Sequence, residues 1–89
     1  MLIALIAKDK PDAQQTRLDN RAAHLAYIEE TGVVSQAGPL LNGDAMIGSL
    51  IILDVADTAA AQTWADNDPY AKAGLFQSVE LIPWKKVIG

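Results

Sequence analysis

The sequence contains no cysteine and only one histidine, His24, in 89 residues. Without cysteine there can be no disulfides, no thiolate metal sites and no cysteine nucleophile. A single imidazole also argues against a histidine-based metal site. No phosphate-binding loop, dinucleotide fingerprint or paired-metal motif is present. We therefore expect neither a metal nor a cofactor.

Basic residues are scarce as well. Seven Lys and Arg residues stand against eleven Asp and Glu residues, which gives a formal net charge of −4 at pH 7. Proteins that bind nucleic acid concentrate positive charge for the phosphate backbone, so this balance argues against a nucleic-acid partner.

The sequence has no apolar run long enough to cross a membrane. Met1–Ala7 is apolar but short, and it lacks the basic start of a signal peptide. We expect a soluble, cytoplasmic protein without a membrane partner, folded as a single domain over residues 1–89. A chain of this size buries only about 60–70% of its unfolded surface, so oligomerisation is an expected source of further stability.

The apolar periodicity and the turn residues predict six main elements. Asn42-Gly43 favours a type I′ hairpin turn, Gly32 ends the first helix and Asp57 caps the second. Along the chain we predict a strand over 1–7, a helix over 11–32, strands over 33–41 and 45–55, a helix from 57 to the Asn67-Asp68-Pro69 stop, and a strand over 76–87.

This order is that of the ferredoxin-like βαββαβ fold, an α+β fold with a four-stranded antiparallel sheet and two helices on one face. We expect the first and third strands to be parallel neighbours. Pro83 predicts an edge position or a bulge in the fourth strand. The sheet face away from the helices is also apolar, which predicts a homodimer packed sheet against sheet, a dimeric α+β barrel.

The first helix has two stripes of side chains. We expect its apolar stripe to face the core, at Leu18, Ala22 and Leu25. A second stripe falls within about 60° on the helical wheel, at Arg17, Arg21, His24 and Ile28. The arginines bind an anion, are simply solvated, or pair with carboxylates such as Asp57 or Asp66.

The stretch Asn67-Asp68-Pro69-Tyr70 is one half of a candidate site. Asp68 suits the N-cap of a short helix opened by Pro69, and that structural role is sufficient by itself. The predicted topology also places Asp68 at the sheet end that holds His24 and Ser49. A carboxylate that orients an imidazole makes a general base. One carboxylate oxygen would then cap the helix while the other holds the imidazole.

Further residues are expected at the same sheet end. Pro83-Trp84 should arrive there with the fourth strand, and Tyr70 is a candidate pocket wall. Gly38 and Gly48 should lie nearly opposite each other in the hairpin, where they would let a ligand approach the backbone. Together these residues have the composition of a small-molecule pocket.

Six short motifs occur in an order that resembles the YCII-related (YciI-like) family over nearly the whole chain. They are Arg21–Tyr27, Ala37–Leu40, Gly48–Leu50, Asn67–Tyr70, Ala73–Phe76 and Ile82–Trp84. The resemblance implies a dimeric ferredoxin-like α+β barrel with a His–Asp pair in its active site, at His24 and Asp68. It also implies proton-transfer chemistry, since one relative resembles a dehydrochlorinase of a chlorinated hydroxyhydroquinone and muconolactone isomerases have a similar barrel.

The residues and the resemblance together predict a cofactor-free lyase or isomerase of a small anionic or phenolic molecule. His24 and Asp68 would form the general acid/base pair, and four residues would bind the substrate: Arg17, Arg21, Ser49 and Tyr70. One alternative is a non-catalytic protein that binds or senses a small molecule in the same pocket. Another is a cofactor-independent oxygenase.

Overall fold

The computed structural model describes residues 1–89 as four strands and three helices. The strands are β1 (Leu2–Asp9), β2 (Val34–Asn42), β3 (Ala45–Asp54) and β4 (Phe76–Trp84). The helices are α1 (Gln14–Thr31), α2 (Thr58–Asn67) and the short α3 (Pro69–Lys72). The ferredoxin-like βαββαβ order is confirmed.

The four strands form one sheet in the order β2-β3-β1-β4. Every neighbouring pair is antiparallel, including β1 and β3. The prediction that β1 and β3 are neighbours is confirmed, but the prediction that they are parallel is wrong. The crossover through α1 makes β1 and β2 parallel, and β3 is inserted between them, so β3 must run opposite to both.

The expected position of Pro83-Trp84 is wrong for a related reason. Trp84 lies opposite Leu2, at the beginning of β1, whereas Ser49 lies opposite Ala7, near the end of β1. Since β4 runs antiparallel to β1, its last residues reach the far end of the sheet. The edge position expected for Pro83 is confirmed, because β4 is an outer strand.

Side chains at alternate positions of β1 and β3 form the core under the helices. The strands and α2 contribute the buried cluster of Ile3, Leu5, Ala7, Ile51, Leu53, Ala61, Trp64 and Ala65. The opposite sheet face has no covering layer in the protomer. Leu50, Ile82 and Trp84 are exposed on that face.

Helix α1 is turned differently from the expectation. Leu18 and Leu25 are 54% and 49% exposed, whereas Arg17 and His24 are only 3% and 6% exposed. Leu18 and Leu25 therefore lie away from the core, and Arg17 and His24 of the polar stripe, about 100° away around the helix axis, face inward. Arg17 and His24 tolerate burial because other elements supply partners for both.

The two ends of α1 are set by residues with a left-handed backbone. The helix begins at Gln14 rather than Pro11, because Asp12 has a left-handed backbone (φ 57°) that interrupts helical geometry. It ends as predicted at Gly32, whose φ of 64° suits glycine and whose N–H donates to the Ile28 carbonyl.

No helix in the structure combines the length and the apolar character needed to cross a membrane.

Candidate active site

A cavity of about 210 Å³ lies between α1 and the hairpin formed by β2 and β3. Its polar lining residues are Arg17, Arg21, His24, Ser49 and Tyr70, and its apolar wall includes Leu25, Ile28, Pro39, Met46 and Ile51. Pockets for drug-sized ligands measure ~300–1,000 Å³, so this cavity suits a smaller molecule, such as one with a single ring.

His24 and Asp68 are in direct contact beside this cavity. The imidazole Nδ1 lies 2.8 Å from Asp68 Oδ1, and both side chains are buried. Asp68 lies behind the imidazole and does not line the cavity. With Nδ1 occupied by the carboxylate, Nε2 is the ring nitrogen left to meet a ligand.

The helix cap expected at Asp68 is present. Its Oδ1 accepts a hydrogen bond from the Tyr70 backbone N–H at 3.0 Å, and Pro69 occupies the first turn of α3. We expected one carboxylate oxygen to cap the helix and the other to contact the imidazole. That expectation is wrong, because Oδ1 makes both contacts. Oδ2 is buried and has no hydrogen-bond partner.

Two hydrogen bonds fasten α1 to α2 and so fix His24 relative to Asp68. The Tyr27 hydroxyl donates to the Trp64 carbonyl at 2.7 Å, and Trp64 Nε1 donates to Thr31 Oγ1 at 2.9 Å. The two aromatic rings also pack against each other, with 4.8 Å between their centres.

The buried Tyr70 ring separates Arg17 from His24. It stacks on the imidazole with 3.9 Å between ring centres and 14° between planes, and the Arg17 guanidinium carbon lies 4.7 Å from its centre. Arg17 and His24 are two helical turns apart, about 10 Å along the axis, so the ring fits between them. Tyr70 therefore sets the positions of both side chains.

Arg17 forms a buried, bidentate ion pair with Asp9, the last residue of β1. Its Nε and Nη2 donate to the two Asp9 carboxylate oxygens at 2.7 and 2.8 Å, and Nη2 also donates to Ser49 Oγ at 2.9 Å. Arg17 is therefore neither solvated nor paired with Asp57 or Asp66. Sequence reasoning missed Asp9, although an acidic residue two positions after the predicted strand over 1–7 was a usable signal.

Arg21 has a different environment. It lines the cavity, is exposed and has no carboxylate partner within ion-pairing distance. Among the residues that line the cavity, it is the cation whose charge is left uncompensated.

The protonation states of Tyr70 and Arg17 follow from these surroundings. Burial raises the pKa of Tyr70, and the nearby charges of Arg17 and Arg21 oppose that rise without cancelling it. Tyr70 therefore stays protonated at neutral pH. Burial acts to lower the pKa of Arg17, but the hydrogen bonds and negative charge of Asp9 outweigh it, so the pKa is raised and the guanidinium stays charged.

The two glycines of the hairpin do not lie opposite each other. Gly38 lies opposite Leu50, whereas Gly48 lies opposite Leu40. A Cβ at Gly48 would collide with the Ala7 carbonyl, so this glycine permits close approach of β1 and β3 rather than of a ligand. Gly38 lines the cavity, and a Cβ there would meet open space.

No group of three or more His, Asp or Glu side chains in the structure is arranged to hold a metal ion. The chemistry that the cavity residues themselves offer is proton transfer at His24, hydrogen bonding at Ser49 and Tyr70, and positive charge at Arg21.

The fold and the site define the chain as a ferredoxin-like α+β protein with a buried histidine–carboxylate pair beside a small cavity. It belongs to the YCII-related family, whose domain model matches residues 1–85.

Known proteins of similar sequence align with this chain over nearly its whole length. Protein YciI of Escherichia coli is 38% identical, with 98% of this chain and 99% of that protein aligned. An uncharacterised protein of Haemophilus influenzae is 32% identical over the same shares.

A solved structure shows the same fold at close similarity. It is the 5-chloro-2-hydroxyhydroquinone dehydrochlorinase TftG from Burkholderia phenoliruptrix AC1100, in complex with 2,5-dihydroxybenzoquinone. It superposes with a TM-score of 0.89 at 36% identity, covering 96% of this chain and 94% of that one.

Proposed function

We propose that this protein is a cofactor-free lyase or isomerase of a small anionic or phenolic ring compound, with His24 as its general acid and base. The observation that supports this most directly is the buried His24 Nδ1–Asp68 Oδ1 contact of 2.8 Å. That contact leaves Nε2 for a substrate proton in a cavity of single-ring size.

In this mechanism Asp68 accepts a hydrogen bond from Nδ1–H and thereby fixes the imidazole tautomer. Nε2 then removes a proton from a ring hydroxyl of the substrate, and the negative charge that develops on the oxygen spreads into the ring. In a lyase the imidazolium delivers this proton to the ring carbon that bears the leaving group. The leaving group then departs with the electron pair of its bond as Nε2 removes a second hydroxyl proton. In an isomerase His24 returns the first proton to a ring carbon. Asp68 stabilises the imidazolium in the interval between the two steps.

The substrate class is supported by the similarity to TftG, which acts on a chlorinated hydroxyhydroquinone and is solved with a quinone ligand. The cavity offers suitable contacts for such a molecule. Arg21 supplies an uncompensated positive charge, Ser49 and Tyr70 supply polar groups, and half of the lining residues are hydrophobic. An anionic or phenolic ring would use both kinds of wall.

The test is turnover of 5-chloro-2-hydroxyhydroquinone, followed as chloride release, by the wild type and by His24→Ala. General acid–base catalysis contributes typically 10²–10⁴-fold, so the variant should be slower by about that factor. Gln14→Ala, an exposed change on the same helix, is the matched control and should match the wild type. Equal turnover by a folded His24→Ala variant would reject the mechanism.

Binding without turnover would instead favour the alternative of a small-molecule-binding or sensing protein. Tight binding of 2,5-dihydroxybenzoquinone, with no chloride released from the chlorinated compound and no product from a panel of phenols and lactones, is the result that would do so.

We also propose that the protein is a homodimer, packed through the sheet face that carries Leu50, Ile82 and Trp84. These side chains are 39–44% exposed in the protomer and lie on the face that the helices leave uncovered. Covering them would remove apolar surface from water. Light scattering at micromolar concentration should give the mass of two chains, and a Leu50→Glu change should shift it toward one.

A further inference from the structure

The Ser49 hydroxyl lies in the cavity wall, and its hydrogen has no acceptor in the chain. Ser49 is 3% exposed, and its Oγ accepts a hydrogen bond from Arg17 Nη2 at 2.9 Å. A guanidinium can only donate, so Ser49 must use a lone pair for this contact. No group in the chain accepts the serine hydrogen in return, although the side chain lines the cavity. The hydroxyl therefore remains a donor for whatever the cavity holds.

The Asp9–Arg17 pair gives this donor its direction and its strength. Asp9 binds both Nε and Nη2 of Arg17, which locks the guanidinium plane with Nη2 against Ser49. A hydroxyl that accepts from a cation becomes a stronger donor, because the two hydrogen bonds polarise each other. Asp9 also compensates the Arg17 charge, so Arg17 is poorly suited to bind an anion directly.

We propose that Ser49 donates a hydrogen bond to a negatively charged oxygen of the bound ring, and that Asp9 is a positioning residue that acts through Arg17. The ligand class is a single-ring phenolate or enolate, with its oxyanion at Ser49 and its negative charge balanced by the otherwise uncompensated Arg21. This inference rests on the proposed function for the ring substrate, but binding alone can test it.

The experiment compares two probes of similar shape, 4-nitrophenolate and 4-nitroanisole, by their dissociation constants for the protein at a pH that ionises the phenol. Ser49→Ala should weaken 4-nitrophenolate binding about tenfold, because a hydrogen bond to a charged group is lost. Binding of 4-nitroanisole should change by less than about twofold. Ser78→Ala, the same change at an exposed strand position, is the matched control.

A double-mutant cycle tests the part assigned to Asp9. In an Asp9→Asn background Ser49 is no longer held by a locked guanidinium, so Ser49→Ala should then cost less than about twofold. A merely structural role for Asp9 would leave the effect of Ser49→Ala unchanged. If Asp9→Asn does not fold, Arg17→Lys serves instead, since lysine keeps the charge but cannot form the bidentate contact.

Equal effects of Ser49→Ala on both probes, or no effect on either, would overturn the oxyanion role. A tenfold effect that persists in the Asp9→Asn or Arg17→Lys background would overturn the positioning role. Failure of the general-base proposal looks different, because His24→Ala would then keep turnover while the Ser49 dependence of phenolate binding was unaffected.

Discussion

His24 Nδ1 and Asp68 Oδ1 lie 2.8 Å apart although the two residues are 44 positions apart in the chain. The same oxygen also accepts the backbone N–H of Tyr70, so one atom both begins α3 and orients the imidazole. A change at Asp68 is therefore expected to affect stability and chemistry together, and the two effects can be separated by the choice of substitution.

Asp68→Asn should leave the helix cap in place while removing the charge. The amide oxygen can still accept from the Tyr70 N–H, so the free energy of unfolding should fall by less than for Asp68→Ala, where loss of a cap costs about 0.5–2 kcal/mol. Turnover should fall about 100-fold or more in both variants, because the imidazolium loses its carboxylate. Urea unfolding and initial rates on the same samples measure the two effects. Asp68→Asn with wild-type rates would show that the charge is not needed.

The buried ion pair of Arg17 and Asp9 should be costly to break from one side. Asp9→Ala or Arg17→Ala leaves an uncompensated buried charge, which costs about 3–5 kcal/mol. Replacing both with Asp9→Leu and Arg17→Met should cost less than the sum of the single changes, since no charge is then left unpaired. Chemical unfolding of the four proteins measures this coupling. Strict additivity would show that the pair is not energetically linked.

Tyr70→Phe and Tyr70→Ala should differ sharply in stability. Phenylalanine keeps the ring that separates Arg17 from His24, whereas alanine removes a buried aromatic side chain at a cost of about 3–5 kcal/mol. Thermal unfolding distinguishes the two. A similar loss for both would mean that the hydroxyl, rather than the ring, carries the structural role.

Leu18→Ala tests the observed rotation of α1. Because Leu18 is 54% exposed, its truncation should change the free energy of unfolding by about 0.5 kcal/mol or less. Leu5→Ala, at a fully buried position of β1, is the contrasting change and should cost about 2–5 kcal/mol. A core-sized loss at Leu18 would show that it is buried in solution, either in the protomer or in an assembly.

Stability should decline in alkali through two tyrosines, the buried Tyr70 and the partly buried Tyr27. Burial raises the pKa of Tyr70, and burial together with the Asp68 charge raises the pKa of Tyr27. The folded state therefore binds these protons more tightly than the unfolded chain, whose tyrosines titrate near pH ~10. Their contribution is complete below that pH and is lost as pH rises through the folded pKa values.

The measurement for this prediction is the pH dependence of urea unfolding in the wild type and in Tyr70→Phe. Lysines titrate in the same range in both proteins, so the comparison isolates the tyrosine. The variant should lose stability less steeply above pH ~10. Parallel curves for the two proteins would contradict the prediction.

What the sequence determined by itself is mainly local. The order of strands and helices followed from apolar alternation, and Gly32, Asp57 and Asp68 marked helix ends through bonds to residues within four positions. The family motifs added the expectation of a His24–Asp68 pair. The element order and the helix ends need only neighbouring residues, so they can be predicted before the fold is known, whereas the His24–Asp68 pair was expected from the resemblance.

The tertiary structure decided which face of α1 is buried and which partners its charged residues find. Hydrophobic periodicity favoured Leu18 and Leu25 for the core, because it assigns a desolvation cost to Arg17 and His24. It does not take into account the Asp9 and Asp68 carboxylates, which offset that cost. Those carboxylates come from the end of β1 and the end of α2, and only the packing of the two crossovers brings them to α1.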